Sequence, residues 1–155
     1  MRINLKAISS LEKAYKRAGK QTFKELKHIS GLKGETVSFQ LNFCPDHDRL
    51  LRGMVSLYCD DPVMGKAVRL RQVNKVPVVR PWDPSGDEYY LETEPCVLPD
   101  LLTEISEDGF PMVPHLNGSF WVDVDIPRRP IRGVTSLPSR FPAVLRVKVP
   151  KKRLK

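Results

Sequence analysis

Gly34-Glu35-Thr36-Val37-Ser38-Phe39-Gln40-Leu41-Asn42-Phe43 decides the fold class. Val37, Phe39, Leu41 and Phe43 alternate with Thr36, Ser38, Gln40 and Asn42. A period of two puts apolar side chains on one face of a strand and polar ones on the other. The apolar members are β-branched, aromatic or leucine, which fit a pleated, half-buried surface. Gly34 opens the run and Cys44-Pro45-Asp46 closes it with turn chemistry.

Working outward, the same period recurs in Phe120-Trp121-Val122-Asp123-Val124-Asp125-Ile126, with Trp121, Asp123 and Asp125 on the polar face. Further strands are expected at Ile3–Ile8, Gly53–Cys59, Ala67–Val73 continuing extended through Val76–Val79, and Ala143–Val149. Ser9 and Glu12 fit a capping box for a short helical turn carried on by Lys13–Lys16. Lys20–Ser30 admits two readings. Phe23, Leu26 and Ile29 recur every third residue as in a helix, but the Gly-rich turn that follows suits a strand, and the strand is preferred. Pro81–Gly118 shows no sustained period and is expected to be a long irregular loop, with a turn at Pro99–Leu102. Short strands, many turn residues and 14 prolines predict an all-β, two-sheet antiparallel β-sandwich of immunoglobulin or jelly-roll type, with at most short helical turns. Residues 1–150 form its single domain and 151–155 a basic tail.

The chain's 155 residues suffice for one hydrophobic core. No apolar run reaches the ~20 residues that span a membrane, and no signal-peptide pattern opens the chain, which makes it cytoplasmic by default. Cys44, Cys59 and Cys96 are odd in number and lack metal-ligand spacing, as do His28, His47 and His115, so neither a disulfide framework nor a metal site nor a cofactor is expected. The net charge of +8 is uneven: residues 1–33 carry +7, residues 34–125 carry −9 and residues 126–155 carry +10. Basic ends can make a nucleic-acid face, but an acidic middle ranks that reading below solvated ends or ends that meet another domain.

Catalysis has little to stand on. Asp123 with Asp125, and Glu92 with Glu94, are the carboxylate pairs a glycosidase would want. The outward Asp123 and Asp125 are expected to be solvated and ordinary, and no catalytic residue is assigned. The aromatics Trp82, Tyr89, Tyr90 and Trp121 can form a sugar-stacking platform or pack against protein, and packing is preferred.

A resemblance sharpens this reading. It runs through Ser9-Ser10-Leu11-Glu12-Lys13, Gly34–Leu41, Val68–Val73 with Val76-Pro77-Val78, Tyr89-Tyr90 followed by Pro95 and Leu98-Pro99-Asp100-Leu101-Leu102, and Phe120–Val124. In that order these resemble the N-terminal β-sandwich region of multidomain glycoside-hydrolase-like proteins (domain-of-unknown-function family four-zero-nine-one). The resemblance covers Ile3 to Val149, and Arg128–Pro142 departs from it in being richer in Arg and Pro. It implies a sandwich that precedes a glycosidase-like barrel, with a small β domain after it. The barrel and its carboxylates lie outside this chain, which is therefore expected to be an excised domain or a truncated gene product. The resemblance implies a non-enzymatic accessory domain that braces the barrel and can contribute to carbohydrate binding, with Trp82, Tyr89, Tyr90, Leu101 and Trp121 as contact residues. A stand-alone carbohydrate-binding module is second, and a basic nucleic-acid-binding protein third.

Overall fold

The computed structural model describes residues 5–59, 62–80, 83, 85–86, 89–128 and 143–148, with backbone alone for 57–59, 62–64 and 143–148. The elements are β1 (Leu5–Ser9), β2 (Thr36–Phe43), β3 (Leu51–Cys59), α1 (Pro62–Ala67), β4 (Val68–Val78), β5 (Cys96–Thr103), β6 (Phe110–Met112), β7 (Gly118–Asp125) and β8 (Ala143–Lys148). They form two antiparallel sheets, one of five strands in the order β1-β2-β7-β4-β5 and one of three in the order β6-β3-β8.

The alternation in β2 and β7 sets the register of the larger sheet. Val37, Phe39, Leu41 and Phe43 stand opposite Val124, Val122, Phe120 and Gly118. Across β7, Leu70 meets Val122 and Val68 meets Val124. One sheet face is thereby apolar, and it packs on the smaller sheet. Phe43, Phe110, Phe120 and Met112 are the buried centre, joined by Leu41, Leu51, Val55 and Leu70. The three rings contact one another at centroid distances of 5.3, 5.1 and 4.8 Å, two of the pairs edge-to-face. Burial of each phenylalanine stabilises the fold by roughly 1.5–3 kcal/mol, and each ring pair adds about 0.5–1.5 kcal/mol. Two glycines make room for the rings. A Cβ on Gly53 would stand 2.6 Å from Phe110, and one on Gly118 would stand 2.6 Å from Phe43.

On the other face of the larger sheet residues 10–30 pack against β1 and β2, and three expectations change there and beyond. Ser9–Lys16 is not helical. Ser9 belongs to the β1 ladder opposite Phe39, and its carbonyl and hydroxyl accept the Glu12 and Leu11 N–H groups to close one turn. Lys20–Ser30 is not a strand but irregular chain crossing the sheet. Phe23 buries against Ile8 of β1 and Ala14, and two hydrogen bonds tie the segment to β1, Leu26 N to Ala7 O at 2.8 Å and Lys6 Nζ to Phe23 O at 2.6 Å. This covering buries Gln40, whose amide nitrogen donates to the carbonyls of Ser10 and Glu12 and whose oxygen accepts from Ser119. A buried glutamine matched in this way carries no desolvation debt.

The third change is in Pro81–Gly118, which holds β5 and β6 from Cys96 on. Pro99, placed in a turn by the sequence, lies inside β5. It is tolerated because β5 is an edge strand of the sheet. Asn74 pairs with Leu101 and Lys75 with Pro99, so Asp100 is an extra residue in a bulge. The bulge breaks the period of two that would have marked the strand. The expected strand end at Val149, Arg128–Pro142 beyond Arg128, and the 151–155 tail lie outside the described residues.

Candidate functional site

The anticipated contact residues do not converge. Trp121 sits on β7, half-buried on the polar face, and its indole Nε1 donates to Asp123 Oδ1 at 2.7 Å. Leu101 is 50 % exposed, and its register opposite Asn74 places it on the other sheet face, the one that carries Phe120 opposite Gln72. Tyr89 lies before β5 with its ring 96 % exposed. Tyr90 is half-buried, and its hydroxyl donates to the Asp83 carbonyl at 3.4 Å. Trp82 lies outside the described residues.

Around Trp121 the polar face is a lattice of charge. Arg71 pairs with Asp123, and Arg69 holds Asp125 at 2.7 Å. Ser38 donates to Asp123 at 2.6 Å and Thr36 to Asp125 at 2.5 Å. Asp123 is therefore not the solvated carboxylate that alternation implied; it is 4 % exposed. Its neighbours on β2, β4 and β7 all present donors, which the sequence of β7 alone cannot display. Burial pushes the Asp123 carboxyl up, but the hydrogen bonds from Ser38, Trp121 and Arg71, with the guanidinium charge, outweigh it and hold the group below the ordinary range. Glu92 is held low as well, by hydrogen bonds from Lys16 and Tyr15. A glycosidase acid needs the opposite, a carboxyl raised toward neutrality. These two carboxylates serve as fixed anions. Glu92 accepts from Tyr15 Oη at 2.6 Å and pairs with Lys16 at 2.7 Å, while Asp100 pairs with Lys13 at 2.9 Å. The basic N-terminal segment is thus stitched to the acidic middle of the chain.

A second feature escaped the sequence reading. β4 runs on past the start of β7, and a recess of about 160 Å³ opens between its second half and residues 111–119. Phe43, Pro111, Val113 and Leu116 form apolar walls; Gln72, Asn74 and Lys75 supply polar groups. Lys75 is half-buried, and its Nζ donates to the Asn117 carbonyl at 2.8 Å. Burial lowers its pKa from 10.5 to about 8, against a smaller opposing pull from Cys44. The β5 bulge lies directly across from Asn74 and Lys75. On the loop side His115 adopts a left-handed backbone, φ 53°, and its Nε2 contacts Asp48 at 3.1 Å. Bulges, left-handed non-glycine residues and displaced pKa values cluster at functional sites. A single Lys in Val73-Asn74-Lys75-Val76-Pro77 reads as an ordinary solvent-facing strand residue, and no local signal distinguishes it.

No family model matches the chain, and no curated protein matches it. Among solved structures it is similar to a family 123 glycoside hydrolase from Clostridium perfringens, studied for glycolipid glycan hydrolysis. The TM-score is 0.61 at 10 % identity, over 99 % of this chain and 25 % of that one. The likeness is one of fold, and the chain spans about a quarter of that hydrolase's length.

Proposed function

We propose that this sandwich is a non-catalytic accessory module of a larger glycoside-hydrolase-like protein, of the type in which an N-terminal sandwich braces a catalytic barrel. The observation that carries the reading is the fold likeness of nearly the whole chain to one quarter of a family 123 hydrolase. Two further observations support it. Asp123 and Glu92 are held ionised by fixed donors, which suits structure and not acid catalysis. Val79, Tyr89, Val97 and Leu101 are exposed apolar groups on or near β4 and β5, and exposed apolar surface of this kind is available for a protein contact. The docking partner is the barrel. A carbohydrate contribution is the second reading, favoured by the exposed Tyr89 ring, a group on which a sugar face can stack.

The test is co-expression with a family barrel from the same genome, followed by measured association. Leu101→Asp and Tyr89→Ser, with Trp82→Ser, should weaken it; association indifferent to all three sinks the docking claim. The isolated chain should turn over no aryl glycoside, and turnover would sink the non-catalytic claim. Oligosaccharide titration should leave tryptophan fluorescence unchanged; saturable quenching lost in Trp121→Ala would promote the carbohydrate reading.

A further inference from the structure

We propose that the recess beside Lys75 is a binding site for a small monocarboxylate with an apolar body. The inference is independent of the accessory role. It begins with the charge. Lys75 is the one charged residue lining the recess, and among the described residues no carboxylate lies within ion-pair distance of it. Its ammonium carries three donors, of which one is matched by the Asn117 carbonyl. A half-buried cation served by one neutral acceptor is stabilised by any anion that reaches it, since a charge-assisted hydrogen bond is stronger than a neutral one.

Gln72 and Asn74 also line the recess, from the face of β4 opposite to that of Lys75. Gln72 Nε2 donates to Asn74 Oδ1 at 2.8 Å, and Asn74 Nδ2 donates to Thr103 Oγ1 at 2.6 Å. Each amide nitrogen keeps a second hydrogen.

One positive charge selects a monoanion. A phosphate dianion would want a second cation, and the lining holds none. The apolar walls of Phe43, Pro111, Val113 and Leu116 select the rest of the ligand. The volume of about 160 Å³ is close to that of an apolar cavity that takes benzene, roughly 150 Å³. The ligand is therefore a short branched-chain or aromatic acid and not an extended oligosaccharide. The bulge in β5 pairs with β4 at Asn74 and Lys75, next to the recess.

The experiment uses the whole 155-residue chain and two probes of matched shape, benzoate and benzamide, titrated while backbone amide resonances are recorded. Benzoate should shift Asn74, Asn117 and Gly118 saturably. Benzamide should bind about tenfold more weakly, the value of one hydrogen bond to a charged group. Lys75→Met should lose the difference between the probes, whereas Lys13→Met, at the Asp100 ion pair, should keep it. Equal binding of the two probes by the wild-type chain overturns the proposal, and so does a lack of saturable shifts with benzoate. Both readings use the unaltered protein, so they hold even where a variant fails to fold. Benzoate preference retained in a folded Lys75→Met protein would also overturn it.

Discussion

Replacing Lys75 with Met tests the energetics of the half-buried amine. Burial lowers its pKa from 10.5 to about 8, a shift whose full free-energy equivalent is about 3 kcal/mol. The side chain is only half-buried, and screening by solvent reduces the value that reaches folding to about 1–2 kcal/mol. Below pH 8 both the folded and unfolded chains hold the proton, and the folded state bears the whole penalty. Between about pH 8 and 10.5 the unfolded chain binds more protons than the folded one, so stability contributed by this group rises with pH. Met has no proton to lose. Urea unfolding of both proteins at pH 7, 8, 9 and 10 should therefore show wild type gaining about 1–2 kcal/mol on Lys75→Met across the series, most of it above pH 8. Cys44 acts oppositely: burial, then the Asp46 charge, raise its thiol above 9.0, so the folded state holds a proton that the unfolded state has released and stability falls as pH rises. Because Lys75 and Cys44 act on each other, the comparison is made in a Cys44→Ala background, where the thiol makes no contribution. A difference flat from pH 7 to 10, or one in which wild type loses ground, refutes the assignment of a desolvated ammonium.

Three other substitutions examine the core and the polar face. Phe120→Ala removes the fully buried centre of the three-ring cluster and should cost about 3–5 kcal/mol in thermal or denaturant unfolding, whereas Phe39→Ala, at a partly buried position, should cost less than that. Asp123→Asn leaves Arg71 without its anion and turns an amide toward the Ser38 and Trp121 donors, with an expected cost of about 2–4 kcal/mol at pH 7. Because the Asp123 carboxyl is held below its ordinary 3.8, its contribution is complete above that value and is lost as pH falls through the lower folded value. The gap between wild type and Asp123→Asn should close in acid, and a gap that persists unchanged below pH 3 would contradict the ion pair.

The strands that could be read from the sequence are those whose two faces see different environments. In β2 and β7 the alternation is clean because one face meets Phe110 and Met112 while the other carries hydroxyls and carboxylates. β5 was not legible: its bulge at Asp100 shifts the period in mid-strand, and Pro99 looks like a turn until the strand is known to lie at an edge. Residues 20–30 misled for a related reason. Phe23 is buried by Ile8 and Ala14, partners in other elements, so its three-residue spacing from Leu26 and Ile29 belongs to no regular structure.

The local pattern of apolar and polar residues determined that this chain is an all-β sandwich, because a strand's side-chain period of two is a property of its own backbone. It also determined which residues face the core in β2 and β7. Tertiary structure decided what the polar residues do. Asp123 becomes a buried anion because Ser38 and Arg71 arrive from the strands on either side. Lys75 becomes a half-buried amine at a recess because β4 outruns β7 and residues 111–119 fold over its end. Burial and charge depend on neighbours distant in the chain, and those neighbours exist only once the sheets have paired.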